Sequence, residues 1–171
     1  WELNVHAMLV LSQGIARGMA KRESGHIINV SSILARQVYP LTMFYAATKH
    51  ATAAITRGIR IELAEYGIRV TEIAPGLVDT ELMDQPDHPA VVAAYAKRQN
   101  ARLPAADVAR AIIYAAGTEA GTAPELIALN PHHAGDTMRR LARQHIVAFE
   151  HLDMIRLAHL DDQGVRRREK V

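Results

Sequence analysis

Tyr45 and Lys49 stand four residues apart in the stretch Ser31–Lys49, SSILARQVYPLTMFYAATK, and Ser32 precedes the tyrosine by thirteen residues. On a helix beginning near Phe44, that spacing of four puts a phenol and an ammonium on one face, one turn apart. The ammonium favours ionisation of the phenol, whose ordinary pKa of about 10 would leave it a poor base at neutral pH. Thirteen residues are too many for one helical turn, so another element must bring Ser32. The run His26–Val30 supplies it, an apolar strand ending in Ser-Ser. A hydroxyl at a strand end and a phenol at the next helix start can reach one small oxygen atom, the arrangement for moving a proton to or from an alcohol or carbonyl. An isolated tyrosine four before a lysine is more often an exposed ring stacked on a lysine stem. The serine, and the strands on either side, point to chemistry instead.

The elements that must position these groups follow from periodicity. Trp1 to about Arg22 forms a helix, with Val5, Met8, Leu9, Ser12, Ile15, Ala16 and Met19 at helical spacing and Gly25 as a stop. Asn4 falls in its first turn, where an asparagine taken alone caps the helix or faces solvent. Ile27–Val30 is apolar on both faces apart from Asn29, as for a parallel strand covered on both sides. A helix from Phe44 to about Tyr66 ends at Gly67, and the strand Ile68–Ala74 completes a right-handed βαβ unit. Pro75-Gly76 turns at the carboxyl end of that strand, where open α/β sheets bind ligands. Residues 81–103 predict two short helices that cover the substrate. A further helix starts at Leu103 and runs to Ala116, and Pro124–Pro131 is a last strand.

Taken together, NVSS…YAATK…GIRVTEIAPGLVDT resembles the short-chain dehydrogenase/reductases over roughly Trp1–Pro131. The resemblance implies an α/β fold, here the carboxyl-terminal half of a doubly wound, Rossmann-type parallel sheet of three strands with flanking helices. It implies an oxidoreductase that moves a hydride between NAD(P) and a small hydroxyl or carbonyl substrate. Tyr45 would be the acid/base and Lys49 would stabilise its anion and hold the nicotinamide ribose. Ser32 would polarise the substrate oxygen, and Asn4 would hold a water that links the lysine to solvent. Cofactor contacts would come from Tyr45, Lys49, Pro75, Gly76, the backbone of Val78 and the hydroxyl of Thr80. Leu103–Pro131 is more loosely similar to the branch that oxidises serine and small 3-hydroxy acids with NADP, which favours NADP over NAD. Ala35 departs from the family, which often has glycine there. The small residues Ala46, Ala47, Ala51, Ala53, Ala54, Gly58 and Ala64 imply either tight packing on the sheet or, as the family suggests, a homo-oligomer interface shared with the first helix.

The family's glycine-rich dinucleotide turn is not among the ten glycines. The expectation is therefore a catalytic part, residues 1–135, lacking its amino-terminal dinucleotide-binding half, followed by a helical, partly disordered tail over 136–171. The rival expectation is a catalytically inactive fragment whose remaining property is self-association. Composition bounds both. The chain has 171 residues, 49% of them hydrophobic, and a formal charge of +2 whose excess falls after residue 135. No basic face argues for nucleic acid, and no apolar run approaches the roughly 20 residues that cross a bilayer. Zero cysteines leave no disulfide or thiolate metal site and are compatible with a cytoplasmic protein. The histidines lack the i, i+4 spacing of a helical metal pair, so no metal site is expected.

Overall fold

Helix and strand alternate along the first 131 residues and wind into a parallel sheet, as the periodicity requires. The computed structural model of the chain describes residues 1–84, 88–96 and 102–131. The tail expected over 136–171 lies outside the described residues.

The first helix is not uniform. A π-helical turn, Glu2–His6, leads into α1, Ala7–Lys21. Both Val5 N and His6 N donate to Trp1 O, at 2.9 and 3.3 Å, so the ladder opens by one residue at the level of Asn4. Periodicity alone cannot show such an insertion, because the apolar face runs on through it. Strand β1, Gly25–Val30, follows, then a 3₁₀ turn, Ile33–Ala35.

Helix α2 spans Met43–Leu63 and passes through a 3₁₀ turn, Ala64–Tyr66, to Gly67. Gly67 has φ 65°, and a Cβ there would meet Glu23 O at 2.9 Å, so both conformation and space call for glycine. Strand β2, Ile68–Pro75, is buried along nearly its whole length. Strand β3, Val78–Asp79, the 3₁₀ turn Glu81–Asp84 and helix α3, Pro89–Ala96, come next. Strand β4, Leu103–Pro104, helix α4, Ala105–Ala116, and strand β5, Leu126–Leu129, complete the order.

The main sheet is parallel in the order β1-β2-β5, with Ile27 opposite Val70 and Ile73 opposite Ile127. β1 is an edge of this sheet. The core on one face joins Ala16, Ile27, Ile68 and Val70, with Met19, Ala20, Ile59 and Leu63 packed against them from α1 and α2.

A second, two-stranded sheet pairs β3 with β4 and was not expected from the sequence. Two residues are too short to show alternation. Leu103 and Pro104 therefore form a strand, and the helix begins one step later, at Ala105. The small residues of α2 divide between two faces. Ala46 and Ala53 are fully buried in the fold, whereas Ala47 and Ala54 are exposed and a Cβ on Gly58 would meet nothing within 4 Å.

Candidate active site

Tyr45 and Lys49 lie on the first turns of α2, as the spacing of four requires. Thr42 precedes the helix, accepting from Ala46 N at its carbonyl (2.7 Å) and from Tyr39 N at its hydroxyl (3.0 Å). Lys49 Nζ stands 5.5 Å from the centroid of the Tyr45 ring. Burial lowers the pKa of Lys49, because its environment disfavours the charged form. Tyr45 keeps 39% of its surface exposed, so a small molecule can reach the ring.

Asn4 joins this group through threonines. Its Nδ2 donates to Thr48 Oγ1 at 3.2 Å, and Thr48 Oγ1 donates to Tyr45 O at 2.8 Å. Thr52 Oγ1 lies 3.1 Å from Asn4 O and 2.9 Å from Thr48 O. Thr56 continues the row, donating to Thr52 O and accepting from Asn29 Nδ2 of β1 at 3.1 Å. The π-helical turn thus docks on α2 through buried hydroxyls at i, i+4, one turn from Tyr45. Sequence reading missed this row, although Thr48, Thr52 and Thr56 share a helical face in plain spacing.

Ser32 is buried and extended (φ −167°, ψ 160°) at the end of β1. Its hydroxyl accepts from Leu34 N at 3.1 Å and donates to Pro75 O at 3.3 Å. Ser32 and Pro75 therefore meet at the carboxyl ends of neighbouring strands. The turn Ile33–Ala35 packs on α2 and connects this pair to the Tyr45 group. Ala35, the departure from the family pattern, is buried within that turn.

Gly76 lies against the end of β5. Its amide donates to Leu129 O at 2.7 Å, and a Cβ would meet Asn130 Oδ1 at 3.0 Å and Leu129 O at 3.3 Å. Its lack of a side chain is used first for the approach of β5. Val78 lies in β3 and is held to β4 by Leu103 N donating to Leu77 O at 2.7 Å. Thr80 follows, exposed. Asp79 pairs with Arg102 Nη1 at 2.9 Å beside the small sheet. Leu82 and Val92 are about half exposed beyond it.

One cluster escaped the sequence. Glu72, 2% exposed on β2, takes both Nη atoms of Arg36, at 3.0 and 2.6 Å, and the hydroxyl of Ser31. Burial by itself would raise the Glu72 carboxyl. The hydrogen bonds from Arg36 and Ser31 and the charges of Arg36 and Arg57 outweigh it and hold the pKa below the usual value. The Glu72 hydrogen bond in turn raises Arg36. A signal was present: a carboxylate in a strand that the fold covers on both faces needs a cationic partner. Which arginine answers it is a tertiary matter.

The donor set fits one end of a dinucleotide. An ammonium and a phenol stand together, a serine hydroxyl lies at a strand end, and Gly76–Thr80 leaves the carboxyl end of β2.

Comparison with known proteins agrees. Residues 1–89 match the family described as short chain dehydrogenase. An uncharacterised oxidoreductase of Staphylococcus aureus strain USA300 is 37% identical over 114 residues, covering 67% of this chain and 46% of its own length. The closed form of serine dehydrogenase complexed with NADP+ superposes with a TM-score of 0.68 at 28% identity, over 75% of this chain and 52% of that one. A gluconate 5-dehydrogenase from Burkholderia cenocepacia, in complex with NADP and tartrate, gives 0.62 at 29% identity, over 75% and 52%. The chain spans about half the length of the relatives it matches.

Proposed function

The chain belongs to the short chain dehydrogenase family, and from that membership we propose that it carries the catalytic part of an NAD(P)-dependent oxidoreductase acting on a small alcohol or carbonyl. The observation that supports this most directly is the half-buried Lys49 ammonium beside the Tyr45 ring, on the helix that also holds Asn4.

In the oxidising direction, the alcohol proton passes to the Tyr45 phenolate oxygen as the carbon loses its hydride. In the reducing direction, the Tyr45 phenol returns that proton to the developing alkoxide. A bound nicotinamide dinucleotide would supply the hydride acceptor or donor. Lys49 keeps the phenolate accessible by its charge and would hold the nicotinamide ribose. Ser32 offers its hydroxyl to the substrate oxygen, and Asn4, docked on Thr48, supports the path of the proton to solvent. Pro75, Gly76, Val78 and Thr80 would line the nicotinamide end. NADP is the favoured cofactor, since the similar serine and gluconate 5-dehydrogenases were solved with it. A cytoplasmic location belongs to the same proposal and rests on the cysteine-free composition.

Self-association is a second part of the reading. Leu11 and Ile15 of α1 and Phe44 and Ile61 of α2 are all more than half exposed, and Ala47 and Ala54 of α2 also face outward. Exposed apolar surface of this kind favours a homo-oligomer.

The experiment is fluorescence titration of NADP(H) and NAD(H) against the protein as encoded. Binding and Tyr45-dependent turnover by the encoded protein are expected. Failure of both cofactors to bind the encoded protein would leave the self-associating, inactive reading.

A further inference from the structure

Glu72 raises a question that packing does not answer. A carboxylate 2% exposed in a central strand is expensive to desolvate, and an apolar side chain of similar size often serves stability as well as a buried ion pair. Among the described residues, the side chains that hydrogen-bond to this carboxylate come from the segment carrying Ser32. The Ser31 hydroxyl donates to it, and Arg36 grips both of its oxygens.

These two partners bracket the turn. Ser31 immediately precedes Ser32, and its amide donates to Ile73 O at 2.8 Å, so main chain and side chain are both anchored on β2. Arg36 closes the turn Ile33–Ala35 from the other end, its amide donating to Ile33 O at 3.1 Å. Ser32 lies between these anchors, with one hydrogen bond to Leu34 N and one to Pro75 O. Both bonds require the turn and the end of β2 to keep their relative position.

We propose that Glu72, acting through Arg36 and Ser31, is a positioning residue that fixes where the Ser32 hydroxyl points. One carboxylate clamps both ends of the turn to β2, so the backbone under Ser32 cannot drift. Arg57 contributes a further positive charge near the carboxylate, keeping it ionised and the clamp closed. This rests on the reading of Ser32 as the group that orients the substrate oxygen. A displacement of about 1 Å at such a group lowers turnover by as much as 10²-fold.

The test uses the protein as encoded and compares Glu72→Gln, Ser31→Ala, Ser32→Ala and the double variants of each with Ser32→Ala. Glu72→Gln and Ser31→Ala should lower kcat on the order of 10-fold to 10²-fold, with cofactor affinity by fluorescence within about twofold. Each double variant should be no slower than Ser32→Ala alone, because the clamp acts only through that hydroxyl. Glu72→Asp should recover part of the rate. Multiplicative losses in the double variants, a parallel loss of cofactor affinity, or an unchanged kcat would overturn the proposal. If Glu72→Gln does not fold, Ser31→Ala leaves the Glu72–Arg36 pair intact and decides by the same cycle. A parent protein without Tyr45-dependent turnover would remove the oxidoreductase reading and the clamp with it, an outcome distinct from failure of the clamp alone.

Discussion

Lys49 Nζ lies 5.5 Å from the centroid of the Tyr45 ring, one turn further along α2. The ammonium is close enough to favour a phenolate electrostatically, and its own burial lowers its pKa. The two effects pull against each other. Proton transfer by Tyr45 is expected to work where the lysine is still charged and the phenol has begun to ionise.

In the encoded protein, Tyr45→Phe should lower turnover by about 10²–10⁴-fold while leaving cofactor affinity nearly unchanged. The phenol acts on a proton in flight and contributes little to ground-state binding. Steady-state kinetics with a parallel cofactor titration checks this. Retention of most of the rate would exclude Tyr45 as the acid/base.

Lys49→Met should weaken both rate and cofactor binding, the rate by about 10²-fold or more. Without the ammonium, the phenol returns toward its ordinary pKa of about 10, and the basic limb of the pH–rate profile moves upward. A profile that does not move would take the lysine out of proton transfer.

Acid should destabilise the fold in two steps. Burial, followed by the charge of Arg69, lowers the pKa of His26. Its Nε2 donates to Thr71 Oγ1, which itself donates to Pro124 O, leaving Nδ1 buried without a partner among the described residues. Stability from neutral His26 is present above its ordinary value of about 6.5 and falls as pH drops from there toward the lower folded value. Glu72 is lowered as well, so its contribution is present above the usual carboxylate value of about 4.3 and is lost as pH falls through the folded one. Chemical denaturation at several pH values should therefore show less slope near about pH 6 for His26→Gln, and less below about pH 4 for Glu72→Gln.

Gly67→Ala should destabilise the fold by about 1–2 kcal/mol from the left-handed backbone alone, a Tm shift of roughly 4 °C or more. Contact of the new methyl with Glu23 O at 2.9 Å adds to this. Gly58→Ala, in open space on α2, is the control and should be neutral or slightly stabilising. Equal effects at the two sites would mean that Gly67 is not fixed by its backbone.

The 171-residue chain by itself should associate. β1 forms an edge of the main sheet with Val30 45% exposed, and the exposed apolar residues of α1 and α2 add a second sticky surface. Light scattering should give a mass above 18.8 kDa, and NADP affinity should be weak. A monomer that binds NADPH tightly would overturn this expectation.

Helix α2 was legible in the sequence because its information is local. A spacing of four places Tyr45 and Lys49 on one face whatever the rest of the chain does, and α2 begins within a residue of Phe44. The strand expected at Ile68–Ala74 was legible for a similar reason, since β-branched residues stand between Gly67 and the Pro75-Gly76 turn, and it forms as Ile68–Pro75. Other features depend on which elements become neighbours, and that is decided by packing. Gly76 also makes room for Leu129 of β5 and for Asn130 just after it. The π-helical turn at Asn4 exists where its amide meets Thr48, forty-four residues away. Glu72 announced itself as a buried charge, but only the sheet register, with Asn29 opposite Glu72, brings Ser31 and Arg36 to it. Local spacing determined which groups could do the chemistry. Long-range pairing decided what holds them, because hydrogen-bond partners distant in the chain leave no period in the sequence.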